Sequence, residues 1–407
     1  MIQIPTVLYK RSVLERITPY LFTDDIIVLH GARQVGKTHI LYYLAKLIQE
    51  KEERAHFIDL ENNRFKDILD KGVESFMSYL AEEGLITAQR LFVFIDEIQY
   101  LENPSSFLKI IADHHKNIKL IVSGSSSFNI KSKFKDSLVG RTVNFDIFNL
   151  SFEEFLVFKN YYANFKEVHT VKKIEELVSL YEEYVKYGGY PKITLTPEID
   201  KKTKYLNQII DTYVKKDIRD LAEITDIDKF NRLLETLASQ SGKLLNVTEL
   251  ANTVNISRVT LEKYLFLLEE TYIIKLLRPY SNNKRKELFK TPKVFFFDTG
   301  LMNMLWLKEF PKEILGETFE TSIFSELVKK YGTEKVYFWR TTEKKEIDFI
   351  IKNLNTPLPI EVKLNFSRSD TSSMKYFSGE YGISDYKTVA LYGDKKENET
   401  STYPWRL

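Results

Sequence analysis

The chain of 407 residues contains no cysteine. Disulfides, thiolate nucleophiles, iron–sulfur clusters and cysteine-ligated zinc are thereby excluded, and a reducing cytoplasm is the expected compartment. No run of about 18 apolar residues occurs, so no membrane span is expected. The first residues, MIQIPTVLYKRSVLERITPYL, lack the apolar stretch and small-residue cleavage site of an export signal. Excess charge of one sign is also missing. Against 59 basic side chains stand 57 acidic ones, a formal charge of +2, so any surface for nucleic acid must come from local clustering. The 15 glycines and 11 prolines are scattered, without flexible linkers, repeats or low-complexity tracts. Core-forming material is ample, with 43% apolar and 14% aromatic residues against 29% charged ones. At roughly 150 residues per domain, the length calls for two or three domains.

Residues 26–38, IIVLHGARQVGKT, join an apolar run to the pattern Gly-x-x-x-x-Gly-Lys-Thr, and a helix-like stretch follows. In such a loop Gly31 and Gly36 let backbone N–H groups close on phosphate oxygens. The helix behind it points its positive end at the same anion. The intervening Ala32, Arg33, Gln34 and Val35 complete the cradle. Lys37 is placed to reach the β- and γ-phosphates of ATP, and the Thr38 hydroxyl to ligate Mg²⁺. That ion needs a carboxylate on a neighbouring strand, and LFVFIDEIQ at 91–99 supplies it. Asp96 is the expected metal-side carboxylate and Glu97 the general base that orients water.

Two further apolar segments, AHFIDL at 55–60 and NIKLIVSGSSS at 117–127, complete a set of strands in which a third separates the glycine-loop strand from the one bearing Asp96. This arrangement resembles the AAA+ and related ATPases, which keep a polar residue near the γ-phosphate at the end of the inserted strand. The resemblance assigns that place to Ser125, with Ser123 beside it, although turn chemistry explains both serines equally well. It also suggests that Arg141, in SLVGRTVNFDIF, is an arginine finger offered to a neighbouring subunit, which implies a homo-oligomer. An ordinary salt bridge would use the same residue. Together with LSFEEF and KYGGYP, these motifs look like one group, the AAA-like P-loop ATPases that carry a C-terminal nuclease-like domain. Gly188 and Gly189 read as a turn ending a helix.

Apolar residues spaced by three and four across 151–235 predict amphipathic helices, which the resemblance makes a helical lid. In LLNVTELANTVNISRVTLEKYLFLLEETYIIKLLRP, Asn246 and Glu249 have capping-box spacing and Ser257 can cap a second helix. That is the grammar of a winged helix-turn-helix, whose second helix would bring Arg258 and Lys263 to DNA. Residues 278–293 follow with Arg278, Lys284, Arg285, Lys286, Lys290 and Lys293 against only Glu287. Lys284, Arg285 and Lys286 are the expected DNA contacts, bound mainly through phosphates. Protein docking and a solvated face are the competing readings of this segment.

The C-terminal stretch places Glu320 and Glu326 on a helix, Asp348 on one strand, and Glu361 and Lys363 on another. Residues two apart on a strand share a face, which pairs Glu361 with Lys363. This spacing resembles the PD-(D/E)XK nucleases. The resemblance implies that Glu320, Asp348 and Glu361 hold Mg²⁺ and that Lys363 is catalytic. Glu326 lies about 240° around the helix from Glu320 and is not expected to join them. The overall expectation is a multi-domain α/β protein. It comprises a P-loop, AAA+-like parallel sheet (1–150), a helical lid (151–235), a winged helix (236–300) and a restriction-endonuclease-like domain (301–407). The expected function is Mg²⁺-dependent ATP hydrolysis coupled to DNA binding or processing. The alternative is a nucleotide-gated signalling switch whose winged helix and C-terminal domain bind a protein partner.

Overall fold

The computed structural model describes residues 4–124, 138–165, 170–217, 226–281, 291–341, 343, 345–352, 356–368, 372–393 and 400–407. It divides into two compact units, Met1–Asn149 and Leu150–Leu407. The borders expected at 235/236 and 300/301 therefore fall inside the second unit.

The first unit is built on five parallel strands: β1 (Ile26–His30), β2 (Arg54–Asp59), β3 (Leu91–Asp96), β4 (Ile118–Gly124) and β5 (Thr142–Asp146). Their order is β2-β3-β4-β1-β5, so β4 lies between the glycine-loop strand and the strand of Asp96. Every residue of β1, β3 and β4 is buried, as their continuous apolar runs require of strands covered on both faces. Among the described residues of the unit are also helices α1 (Val13–Ile17), α2 (Lys37–Gln49), α3 (Asn63–Asp70), α4 (Val73–Glu82) and α5 (Pro104–His114). Helix α2 packs on β2, β3 and β4. One core joins Val28, Val93, Ile95 and Val122 of the sheet to Phe76, Leu80, Leu108 and Ile111 of α4 and α5.

The second unit opens with α6 (Phe152–Phe158), whose start is fixed by a reciprocal capping box between Ser151 and Glu154. There follow α7 (Val171–Tyr187), α8 (Pro191–Leu195), α9 (Ile199–Ile209), a π-helical turn at Ile210–Asp217, and α10 (Ile227–Ser239). Helices α11 (Val247–Val254) and α12 (Arg258–Glu270) precede an antiparallel pair, β6 (Ile274–Leu277) and β7 (Lys293–Phe296). After α13 (Thr299–Leu307) and α14 (Gly316–Tyr331) come β8 (Val336–Arg340), β9 (Glu346–Ile351), β10 (Leu358–Asn365), α15 (Ser372–Tyr381), β11 (Lys387–Tyr392) and β12 (Ser401–Thr402). The last five strands form a mixed sheet in the order β12-β11-β10-β9-β8.

Two features bind these segments into one body. Gly188, at φ 80°, ends α7, and Gly189 donates its N–H to Asp298 Oδ2 at 2.8 Å, while Asp298 Oδ1 caps α13 at Leu301 N, also 2.8 Å. Gly300 closes the same crossing, since a Cβ there would stand 2.1 Å from the Tyr187 carbonyl oxygen. The glycines of GGYP thus serve packing. Further on, the backbone leaving β6 is stitched to β8 by Tyr280 N to Phe338 O (2.6 Å) and Phe338 N to Arg278 O (3.2 Å). Among the described residues no helix is long and apolar enough to cross a membrane.

Candidate functional sites

The glycine loop lies between β1 and α2. Gly31 has no room for a side chain, because a Cβ would meet the Ile147 carbonyl oxygen at 2.1 Å. Gly36 takes φ 95° at the N-cap of α2, a conformation that glycine adopts at little cost. The loop is braced by Arg11, which is buried and donates to Val35 O (2.8 Å) and Phe148 O (2.9 Å). Nothing in the loop motif itself signals that brace. Ala32 and Val35 are buried, whereas Gln34 stands at φ 63° on the exposed side. Lys37 is buried and its Nζ donates to Gly31 O (3.0 Å) and Ala32 O (2.8 Å). Burial lowers its pKa, against the pull of Glu97 and Asp96.

At the end of β3, Asp96 receives the Thr38 hydroxyl on Oδ2 at 2.5 Å and the Ser123 hydroxyl on Oδ1. Burial raises its pKa, while those two hydroxyl groups work to lower it. A buried carboxylate beside a threonine hydroxyl at the mouth of a phosphate loop is a hard-oxygen donor set, and it fits Mg²⁺, which takes its remaining ligands from phosphate and water. Glu97 turns the chain sharply, at φ 56°. Its N–H donates to Asp96 Oδ1 (3.1 Å) and Ser123 Oγ (3.4 Å), and its carboxylate accepts the Gln99 amide. Gln99 escaped attention in the sequence although it stands two residues from Glu97. Ser125 lies outside the described residues. Arg141 forks onto Asp113 of α5 within its own chain, Nε to Oδ1 at 2.7 Å and Nη2 to Oδ2 at 3.1 Å.

The second unit gathers Glu320 of α14, Asp348 of β9, and Glu361 and Lys363 of β10. Asp348 Oδ2 accepts the Val362 N–H at 2.7 Å, and Lys363 Nζ meets Glu361 Oε1 at 2.5 Å. Burial, and then the proximity of Asp348, raises the pKa of both Glu320 and Glu361. Asp348 is raised by burial too, in spite of Lys293 and Lys363. Glu326 is elsewhere, as expected. It accepts the Tyr184 hydroxyl (2.6 Å) and the Phe152 N–H (3.1 Å).

One placement corrects the sequence reading. Lys293, counted above within the basic segment, is only 3% exposed, and its Nζ bridges Glu346 Oε1 (2.6 Å) and Glu320 Oε1 (3.3 Å). Burial lowers its pKa, but Glu320, Glu346 and Asp348 outweigh this and the net shift is upward. Arg340 holds the other oxygen of Glu346 at 3.1 Å. Among the described residues, no group of three or more His, Asp or Glu side chains is arranged to hold a metal ion. The acids are therefore brought together, but as they stand they do not fit Mg²⁺.

Helices α11 and α12 are capped as their sequence requires, Asn246 accepting from Thr248 N (3.1 Å) and Glu249 N (3.2 Å), and Ser257 from Thr260 N (3.1 Å). Asn255 turns between them at φ 55°. Arg258 is exposed and pairs with Glu262 at 2.8 Å. The same helix exposes Val259 (78%) and Phe266 (49%), seven residues apart and so on one face. Lys284, Arg285 and Lys286 lie outside the described residues.

The strand order, the glycine loop and the Thr38–Asp96 contact give the first unit the parallel-sheet architecture of a P-loop ATPase fold. Three family models match successive stretches of the chain. They are an AAA domain over residues 23–156 and two domains of unknown function, DUF8612 over 178–313 and DUF4143 over 315–405. The chain is 26% identical to an uncharacterized protein of Haemophilus influenzae over 383 residues, 91% of each chain. It is 27% identical to the uncharacterized protein MJ1544 of Methanocaldococcus jannaschii over 390 residues, 93% of this chain and 83% of that one. Among solved structures, AMPPCP-bound DnaA from Aquifex aeolicus matches 63% of this chain and 86% of its own at 16% identity, with a TM-score of 0.28. The S. cerevisiae Hsp104:casein complex matches 61% and 49% at 15% identity, with a TM-score of 0.32.

Proposed function

We propose that the chain is a Mg²⁺-dependent ATPase whose turnover is coupled to DNA bound by the second unit. The observation that carries the ATPase reading is the 2.5 Å contact of Thr38 with Asp96, one residue from Glu97. Thr38 and Asp96 would hold the ion, and its chemistry when bound is to neutralise charge on the phosphate oxygens. Loop N–H groups between Gly31 and Lys37 orient the triphosphate. Lys37 exchanges its two loop carbonyls for phosphate oxygens, which suit an ammonium better. Glu97 takes the proton of the attacking water, and Gln99 and the Glu97 N–H contacts keep that carboxylate close to β4. Lys37→Ala should abolish nucleotide affinity. Glu97→Gln should bind nucleotide normally and turn over at least about 100-fold more slowly, the usual contribution of a general base. Normal hydrolysis by the glutamine variant would remove Glu97 from its role.

For DNA, the support is the capped helix pair ahead of an antiparallel strand pair, which we read as a winged helix with α12 as its recognition helix. Arg258 and Lys263 would then meet the duplex, with Lys284, Arg285 and Lys286 on the adjoining segment. We read the C-terminal sheet as nuclease-like in fold, and assign it no cleavage step. The second reading, a nucleotide-gated switch with a protein partner, is favoured by the exposed Val259 and Phe266, since apolar side chains on an outward helix face suit a protein surface better than a phosphate backbone. ATPase rates with and without duplex and single-stranded DNA separate the two, because the switch ignores both.

A further inference from the structure

The acidic cluster of the second unit is already supplied with a cation. Four carboxylates, of Glu320, Glu346, Asp348 and Glu361, face three bases, Lys293, Arg340 and Lys363. At a pH high enough to ionise all four acids, the balance is four negative to three positive charges, or −1. A divalent ion added to that pocket would leave it at +1 in a half-buried place where water screens the excess less than at the surface. Removing the Lys293 ammonium changes the balance to −2, which a divalent ion neutralises. A second observation shows that the pocket's acids are not saturated. Glu361 is only 9% exposed, and its Oε2 is buried with no hydrogen-bond partner. One strong acceptor is thus left over while Lys293 commits its ammonium to Glu320 and Glu346.

We propose that Lys293 is the resident cation of this cluster and a latch against divalent metal, so that an ion can enter only when the ammonium leaves Glu320 and Glu346. The geometry suits a latch. Lys293 starts a short strand and its one ammonium is shared by α14 and β9, so withdrawal of that side chain opens Glu320 and Glu346 together. Lys363 cannot substitute, since it is spent on Glu361. The proposal is independent of ATP hydrolysis.

The test uses the full chain, free of nucleotide, titrated with MnCl₂ by calorimetry and followed by thermal melting. Lys293→Met should gain one Mn²⁺ site at least tenfold tighter than any in the wild type. Addition of Glu361→Gln should abolish that site, and Mn²⁺ should raise the melting temperature of the single variant but not of the wild type. Lys293→Gln, which keeps donors for Glu320 and Glu346, serves in the same titration where the methionine variant does not fold. If the wild type binds Mn²⁺ through Glu361 as tightly as the variants do, the latch is wrong while the cluster remains a cation site. If neither the variants nor the wild type bind, both ideas fall.

Discussion

Glu361 offers a direct measure of how the second unit handles its buried charge. Its carboxyl is pushed up from an ordinary 4.5 to about 7, first by burial and then by Asp348. Between those two pH values the folded chain holds a proton that the unfolded chain has lost. This contribution to stability is complete below pH 4.5 and fades as the pH rises through 7. At 1.36 kcal/mol per pH unit, an interval of 7 − 4.5 gives an upper bound of about 3 kcal/mol. Glu361 shares its proton with neighbours and is paired with Lys363, so about half of that bound, roughly 1–2 kcal/mol, is expected. Glu361→Gln carries no such charge. Urea melts at pH 5 and pH 8 should therefore show the wild type losing about 1–2 kcal/mol more than the variant. Tryptophan fluorescence reports the relevant body, because Trp306, Trp339 and Trp405 all lie in the second unit. Parallel pH dependence in the two proteins would refute the reasoning, since it would mean that Glu361 remains ionised in the folded chain.

Other perturbations test separate links. Gly300→Ala puts a Cβ 2.1 Å from the Tyr187 carbonyl and should cost at least about 2 kcal/mol; a melting temperature equal to wild type would show that the crossing yields. Arg141→Ala should slow ATP turnover more than tenfold if the guanidinium leaves Asp113 to act on a neighbouring subunit, whereas Asp113→Ala should not; equally mild losses would make the pair structural only. Arg258→Glu combined with Lys263→Glu should weaken DNA binding and flatten its salt dependence by about one per lost phosphate contact. Unchanged binding would shift α12 toward the protein-docking reading.

The candidate nucleotide site was legible as a local arrangement because its parts are short and contiguous. GARQVGKT and LFVFIDEI carry strand, turn and ligand in consecutive residues, and the apolar run of β4 marks a buried strand whose place between β1 and β3 came with the resemblance to AAA+ ATPases. The capped helices behaved similarly, since Asn246 and Ser257 act within their own turn. What escaped were side chains whose partners are remote in sequence. Lys293 sits in a stretch that reads as a basic surface, and only the approach of α14 and β9 makes it interior. Asp113, at the end of α5, and Arg141, just ahead of β5, are 28 residues apart and meet only in the fold, and Arg11 finds the loop from a helix start with no motif of its own. Gly188 and Gly189 read as a turn, but nothing local announces Asp298 as the group that closes on them.

The backbone bonds joining Arg278 and Tyr280 to Phe338 have a practical consequence. Two family matches meet between residues 313 and 315, which invites truncation there. A shortened chain ending at that seam would strip β8 from Arg278 and Tyr280, remove Glu320 and Glu346 from Lys293, and uncover the apolar face of β7 that α14 packs against. Expression of either half alone should therefore yield insoluble material, and crystallographers or cell biologists seeking fragments would do better to cut at residue 150.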